Sequence, residues 1–375
     1  MKKVVIAIDS FKGCLPSAEA GKAAAEGIRS VYPECEVICL PIADGGEGML
    51  DVLIMATNGQ EVPISAHDPL MRWRNTYYGI SENGETAFIE MASISGLPLV
   101  PPERRNPMLT TTYGTGEIIR DALERGCRNF IIGIGGSATN DAGLGMLQAL
   151  GFRFSDKEGK EVGTGRGEVL IKVAHIDSTC VHPALNSCRF TVACDEQNPF
   201  YGPEGAAHVF APQKGADREM VEALDAGLQN FAEVIRHTTG KDISHHPGAG
   251  AAGGMGGSLL AFLNAELKPG IQLMLEALDF SNKIKSADLI ITGEGKADRQ
   301  TLMGKVPSGI LAEARKQNIP VILLAGNIED SDELQQAGFE GVFSVNPPFI
   351  SLEEAMRPEV ARKNIQQTVE SICKK

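Results

Sequence analysis

The sequence predicts an α/β protein of two domains: a doubly wound parallel-sheet domain, Rossmann- or flavodoxin-like, with a second α/β domain of mixed topology inserted into it. Three observations carry this. The chain has 375 residues, more than one hydrophobic core usually organises. Both of its ends alternate strand and helix patterns, as a parallel sheet covered by helices requires. Its middle breaks that alternation with a hairpin signal and a long helical stretch.

Residues 4–8 form a short continuous apolar run, the mark of a strand buried on both faces. Pro16 and Ser17 are start signals for an Ala-rich helix over 17–30. A strand at 36–40, a glycine loop and a helix at 49–56 complete the opening. At the other end, 288–291, 320–324 and 342–345 read as strands, and 307–316 and 359–373 as helices. In the middle, Asn83-Gly84 is a hairpin turn between strands at 76–78 and 87–91. Strands at 130–134 and 189–193 and helices at 116–125, 142–150, 216–236, 256–265 and 271–278 follow. The domains are therefore expected at 1–66 plus 284–375, and at 67–283, with the active site in the cleft between them.

Composition narrows the function classes. Hydrophobic residues at 43% and charged residues at 22% are ordinary for a globular chain. A net charge of −13 leaves no electrostatic footprint for nucleic acid or an anionic membrane. The eight cysteines are scattered without a C-x-x-C pair and read as reduced, with no zinc site. The N-terminal apolar run breaks at Asp9 and Lys12, so it is no signal peptide, and no stretch is long enough to span a bilayer. A cytoplasmic enzyme acting on small molecules is the expectation, and self-association into a homo-oligomer stays open.

Two glycine bursts are candidate anion loops. In Gly133-Ile-Gly-Gly-Ser-Ala-Thr-Asn-Asp-Ala-Gly143, small residues let backbone N–H groups converge where a strand gives way to a helix. Gly135, Gly136, Ser137, Asn140 and Asp141 are its candidate binding residues; a tight structural turn is the alternative. Its first part also fits G-x-G-x-x-A, which keeps a nicotinamide-dependent dehydrogenase of a small hydroxy acid in view. The second burst, 247–258, supplies Gly253 and Gly254 and reads either as an anion loop or as a hinge.

Charged residues cluster after three strands. Glu294, Lys296, Asp298 and Arg299 follow the run 288–291, a mixture suited to magnesium and phosphate. Asp9, Ser10 and Lys12 follow the first strand, and Asp44 and Glu47 the second; helix capping is the competing role for the acids. Asp195 follows the strand at 189–193 as a base, a metal ligand or an ordinary turn residue. There is no G-x-x-x-x-G-K-[ST], no protein-kinase signature and no G-x-S-x-G.

The stretches AIDSFKG (7–13), PIADGGEG (41–48), RNPMLTTTYGTGE (105–117), GIGGSATND (133–141), CDEQNP (194–199), PQKGA (212–216), PGAGAAGGMG (247–256) and ITGEGKADRQTLMGK (291–305) occur in one order along the chain. In them the sequence resembles the bacterial type I glycerate kinase family over nearly its whole length. The resemblance implies phosphorylation of D-glycerate by ATP with Mg2+, mainly to 2-phosphoglycerate, on the two-domain scaffold described above. It departs at Ala142, where similar sequences often carry glycine. Phosphoryl transfer needs positioning and charge neutralisation rather than a nucleophilic side chain. On this reading Asp195 and Asp298 are candidates for base or Mg2+ ligand. Lys12, Lys296 and Arg72 are candidates for holding carboxylate or phosphates. A dehydrogenase, and a sensor that binds glycerate without turning it over, are the other classes; a sensor would normally carry a basic recognition helix, and none is visible.

Overall fold

The computed structural model describes residues 1–46 and 48–374. The chain divides into two compact units, Met1–Asp44 with Ile271–Lys375, and Gly45–Gly270.

The first unit is built on a five-stranded parallel sheet. Its strands are Lys3–Ile8, Glu36–Cys39, Leu289–Ala297, Val321–Ile328 and Gly341–Ser344. Numbered in chain order, they lie 2-1-3-4-5 across the sheet, the flavodoxin-like order. Lys3–Ile8 pairs in parallel with Leu289–Ala297, so the two ends of the chain share one sheet. Asp288 holds this register: its carboxylate accepts the Lys2 and Lys3 N–H groups, and its own N–H donates to the Lys3 carbonyl.

Strand alternation feeds helices on both faces. Val4, Ile6, Ile8, Ile291, Ile322 and Leu324 bury against the helices Ser17–Val31 and Pro358–Cys373. Val5, Ala7, Ile290, Val321 and Leu323 are equally buried and point the other way by the period of two, toward the helix Val306–Arg315. The sheet is thus doubly wound, as the unbroken apolar strands predict.

The second unit is built around a six-stranded mixed sheet. From edge to edge it runs Glu266–Lys268, Arg189–Ala193, Asn129–Gly133, Thr86–Glu90, Trp73–Ile80, Gln60–His67. The first four are mutually parallel and the last two antiparallel to their neighbours. Its core joins one face of that sheet to the helices Tyr113–Glu124, Leu144–Ala149, Arg218–Thr239 and Met255–Phe262.

The boundaries fall earlier than the sequence suggests, at 44/45 and 270/271 instead of 66/67 and 283/284. The helix Met49–Ala56 packs on Trp73–Ile80 and Thr86–Glu90, and Gln60–His67 is the antiparallel edge strand beside Trp73–Ile80. Pro63 hides that strand in the sequence, yet an edge tolerates a residue that cannot donate. The helix Gly270–Ala277 joins the first unit, where Ile271 packs on Gly309. Three further strands run longer than expected, Trp73–Ile80 among them. Leu289–Ala297 and Val321–Ile328 stay paired through Lys296 opposite Asn327 and Ala297 opposite Ile328. Their glycines and charges imitate loop composition, but each strand supplies the other with a partner.

Helix-on-helix contact in the first unit leaves no room at Gly27. A methyl group there would sit 2.5 Å from the Gln366 carbonyl oxygen and 3.0 Å from Val369 Cβ. Helix propensity favours Gly27→Ala by about 1 kcal/mol; overpacking opposes it by about 1–3 kcal/mol. The packing term is expected to win, so denaturant melts should show Gly27→Ala less stable than the parent. A midpoint equal to or above the parent's would show that the two helices can part.

Candidate active site

A cavity of about 350 Å3 lies within the first unit. It sits at the carboxyl ends of the parallel strands: Asp9 follows Lys3–Ile8, Glu294 and Lys296 end Leu289–Ala297, Asn327 ends Val321–Ile328, and Asn346 follows Gly341–Ser344. Lys3–Ile8 and Leu289–Ala297 are the neighbours at which the strand order reverses, and open α/β sheets bind ligands outside that point.

Three carboxylates face this space, Asp9, Asp44 and Glu294. Asp9 is only 6% exposed. Its Oδ1 accepts the Ser10 N–H at 2.7 Å, and its own N–H donates to the Gly293 carbonyl at 2.9 Å. Burial pushes its carboxyl up to about 7; the negative charges of Asp44 and Glu294 add to this, while the Ser10 N–H and Lys12 oppose it. Glu294 is 7% exposed; its Oε1 accepts the Thr301 hydroxyl at 2.6 Å, and Lys305 Nζ stands 3.9 Å from Oε2. Burial raises its carboxyl as well, against the Thr301 hydroxyl and Lys305. Ser17 holds the loops in place. Its hydroxyl donates to the Ile8 carbonyl at 2.6 Å and accepts the Ile42 N–H at 2.9 Å, tying together the chain before Asp9 and before Asp44.

The cations are distributed around these acids. Lys12 reaches Asp44 at 3.4 Å, and Lys296 bridges Glu329 at 2.9 Å and Asp298 at 3.5 Å. The cavity therefore gathers Asp9, Ser10, Lys12, Asp44, Glu294 and Lys296, six of the sequence candidates. Sequence reasoning passed over Lys305, Asn327 and Asn346. Lys305 closes the quoted stretch 291–305, so that stretch was the signal available.

Other candidates have structural partners. Asp298 caps the turn Arg299–Leu302, accepting the Gln300 N–H at 2.8 Å while its N–H donates to Thr301 Oγ1 at 2.9 Å. Desolvation works upward on its carboxyl, but the Gln300 N–H, Lys305 and Lys296 together bring it below the usual range. Glu47 lies outside the described residues.

The remaining candidates lie in the second unit. Asp195 accepts the Gly270 N–H at 2.9 Å, at the start of Gly270–Ala277. Arg72 is held by the buried Asp68, with its Nε 2.7 Å from Oδ2. The two glycine bursts pack on one another. Ala142 N–H donates to the Gly253 carbonyl at 3.0 Å, and Ser258 Oγ donates to the Ala142 carbonyl. Gly253 has φ +69°, and a Cβ there would meet the Thr139 carbonyl at 2.1 Å; only glycine fits. Ala142 adopts φ 52°, a left-handed conformation that explains why glycine suits this position.

The first burst does not open a helix at its glycines: Leu144–Ala149 begins beyond Gly143, and the buried stretch from Ser137 to Asp141 intervenes. Gly135 and Gly136 form its exposed tip. Behind them stands Lys214, 2% exposed, donating to Ser137 Oγ and the Thr139 carbonyl, each at 2.7 Å. Burial draws its ammonium down to about 7, with Asp141 opposing. Asn140 is fully buried, and neither polar atom of its carboxamide has a hydrogen-bond partner in the protein. Asp141 works in the scaffold: it accepts from Thr112 N–H and Oγ1, both at 2.8 Å, and from the N–H groups of Gly143 and Gly145.

Asp141→Asn turns one acceptor into a donor facing donors. A loss of about 1–3 kcal/mol of stability is expected, read from denaturant unfolding. An unchanged midpoint would show that Asp141 is not the anchor of this loop. Asp9 has a distinct signature. Its folded carboxyl keeps a proton between about 4 and 7 that the unfolded chain has released, so stability falls as pH rises through that window. Asp9→Asn, which keeps the Ser10 contact, should melt with the parent at pH 4 and above it at pH 8. Equal melting temperatures at both would place Asp9 in contact with water.

The glycerate kinase family profile matches residues 4–375. The Glycerate 2-kinase of Escherichia coli K12 is 47% identical over 356 residues, covering 95% of this chain and 93% of that protein. The Glycerate kinase of Bacillus subtilis 168 is 46% identical over 372 residues, 99% of this chain and 97% of the relative. A crystal structure of a Salmonella typhimurium LT2 protein considered to be glycerate kinase 2 superposes with a TM-score of 0.91 at 44% identity, covering 100% of this chain and 97% of that one. Fold and sequence agree along the whole length: this chain belongs to the glycerate kinase family.

Proposed function

We propose that this chain transfers the γ-phosphoryl group of ATP to D-glycerate, mainly giving 2-phosphoglycerate, in the cytoplasm. Family membership supports the reaction class. The observation that carries the reading is the cavity at the strand-order reversal, where buried carboxylates and three lysines converge.

The chemistry follows from those groups. Lys12, Lys296 and Lys305 offset the charge of the donor's phosphates. Asp9, held up to about 7, is matched to take the acceptor hydroxyl's proton near neutral pH. A proton bound there would be released to solvent with the product. Asp44 and Glu294 fit a magnesium ion arriving with the nucleotide, because mutually repelling, half-desolvated acids gain from a cation between them. Among the described residues no three acidic, histidine or cysteine side chains close into a metal cage. That suits magnesium, which takes one or two carboxylates together with phosphates and water. The ion would neutralise charge on the transferring group. Asp298, first expected as base or metal ligand, is proposed to shape the turn beside Glu294, and Asp195 to anchor Gly270. In the second unit, the Gly135–Gly136 tip backed by Ser137, Asn140 and Lys214 is proposed as an anion-binding element.

A magnesium-dependent ATP assay with glycerate, with phosphorus NMR of the product, tests the reaction; absence of turnover would end the reading. The pH–rate profile then tests Asp9. The parent's kcat/KM should fall below about pH 7, and Asp9→Asn should lose about 10²–10⁴-fold and lack that acidic limb. A parent profile flat between pH 6 and 8 would remove Asp9 from the base role. Asp298→Asn, since asparagine caps about as well as aspartate, is expected to keep kcat within about threefold; a larger loss returns Asp298 to the reaction.

A further inference from the structure

The charged groups account for only part of the first unit's cavity. Much of the rest of its lining is apolar: Phe11, Val345, Leu352, Ala355, Met356 and Ala361. Leu352 and Met356 are 75% and 39% exposed, although both line an indentation where covering would be favourable. Cys14 Sγ contacts the Ala355 carbonyl at 3.9 Å, so this wall belongs to the same loop system that carries Asp9 and Lys12. Beside it stand two carboxamides. Asn346 is fixed, donating to the Gly326 carbonyl at 2.8 Å and accepting from Asn364 at 3.3 Å; Asn327 donates to Glu329 at 3.4 Å.

Neither glycerate nor a polyphosphate has a face to offer such a wall. A purine base does: it is flat, largely apolar on its faces, and rimmed by donors and acceptors that carboxamides can pair. A cavity of about 350 Å3 is within the range that encloses a nucleoside-sized ligand. We infer that this apolar wall is the nucleobase subsite of the phosphoryl donor, with the phosphates directed to the lysines across the cavity. The inference rests on the donor being a nucleotide, as proposed above.

The probes are ADP, ATP and inorganic tripolyphosphate, the last carrying the charges without the base. Leu352→Asp and Met356→Asp, singly and combined, alter exposed side chains, and unchanged melting temperatures will verify the fold. The combined variant is expected to weaken ADP binding by calorimetry, and to raise KM for ATP, by about tenfold or more. Inhibition by tripolyphosphate should stay within about twofold of the parent. Unchanged ADP affinity in the combined variant would overturn the inference, as would an equal loss for tripolyphosphate. A raised KM for glycerate with ADP binding intact would overturn it too, giving the wall to the acceptor. If the parent binds ADP in this variant-sensitive way but phosphorylates no glycerate, the subsite stands and the proposed reaction fails. If glycerate is phosphorylated while ADP binding ignores the wall, the reaction stands and the subsite fails.

Discussion

The parallel pairing of Lys3–Ile8 with Leu289–Ala297 is the contact on which the first unit depends. It brings the chain's beginning beside a strand near its end, and Asp288 fastens the register by accepting two backbone N–H groups. Because these two strands flank the reversal of strand order, their carboxyl ends open onto a space that no crossover helix fills. Asp9 and Glu294 reach that space only because the register places Ile8 opposite Gly293. A slip of one residue would turn every side chain of one strand to the other face.

That placement has an electrostatic consequence. Asp9 and Glu294 are buried close together, and desolvation with the negative charge of Asp44 pushes both toward protonation. Such an arrangement works against the folded state near neutral pH, and a cation or proton relieves it. Burial also raises the Asp141 carboxyl in the second unit, but there hydrogen-bond donors oppose it. Asp141 is buried but saturated by four donors, and it holds a loop. Two aspartates in quoted stretches thus take different jobs, distinguished by how many donors surround them.

Much of the fold was legible. Helices with clean start signals and strands with unbroken apolar runs sit within a few residues of expectation, from Ser17–Val31 and Met49–Ala56 to Arg189–Ala193 and Pro358–Cys373. Three of the elements that were missed or shortened share a cause. Gln60–His67 contains proline and exposed polar residues, and the ends of Leu289–Ala297 and Val321–Ile328 contain glycines and charges. Local composition calls each a loop, and only a neighbouring strand makes it a strand. The domain boundaries moved for the same reason, since what Met49–Ala56 and Gln60–His67 pack against is a tertiary fact.

For the candidate site, the sequence by itself determined the kinds of residue and the strand ends that carry them. Asp9, Lys12, Asp44, Glu294 and Lys296 were all named from charges placed after apolar runs, because a strand's end is where a parallel sheet exposes side chains. It also determined the family, through eight stretches in order. Tertiary structure decided which charges converge and which are already engaged. Arg72 is held by Asp68, and Asp298 caps its own turn. Lys214 lies behind the first glycine burst, though 77 positions separate it from Ser137. These assignments depend on distances across the fold, on burial, and on the number of donors at each carboxylate. Those quantities exist only once distant segments are packed, so no local pattern of residues could have carried them.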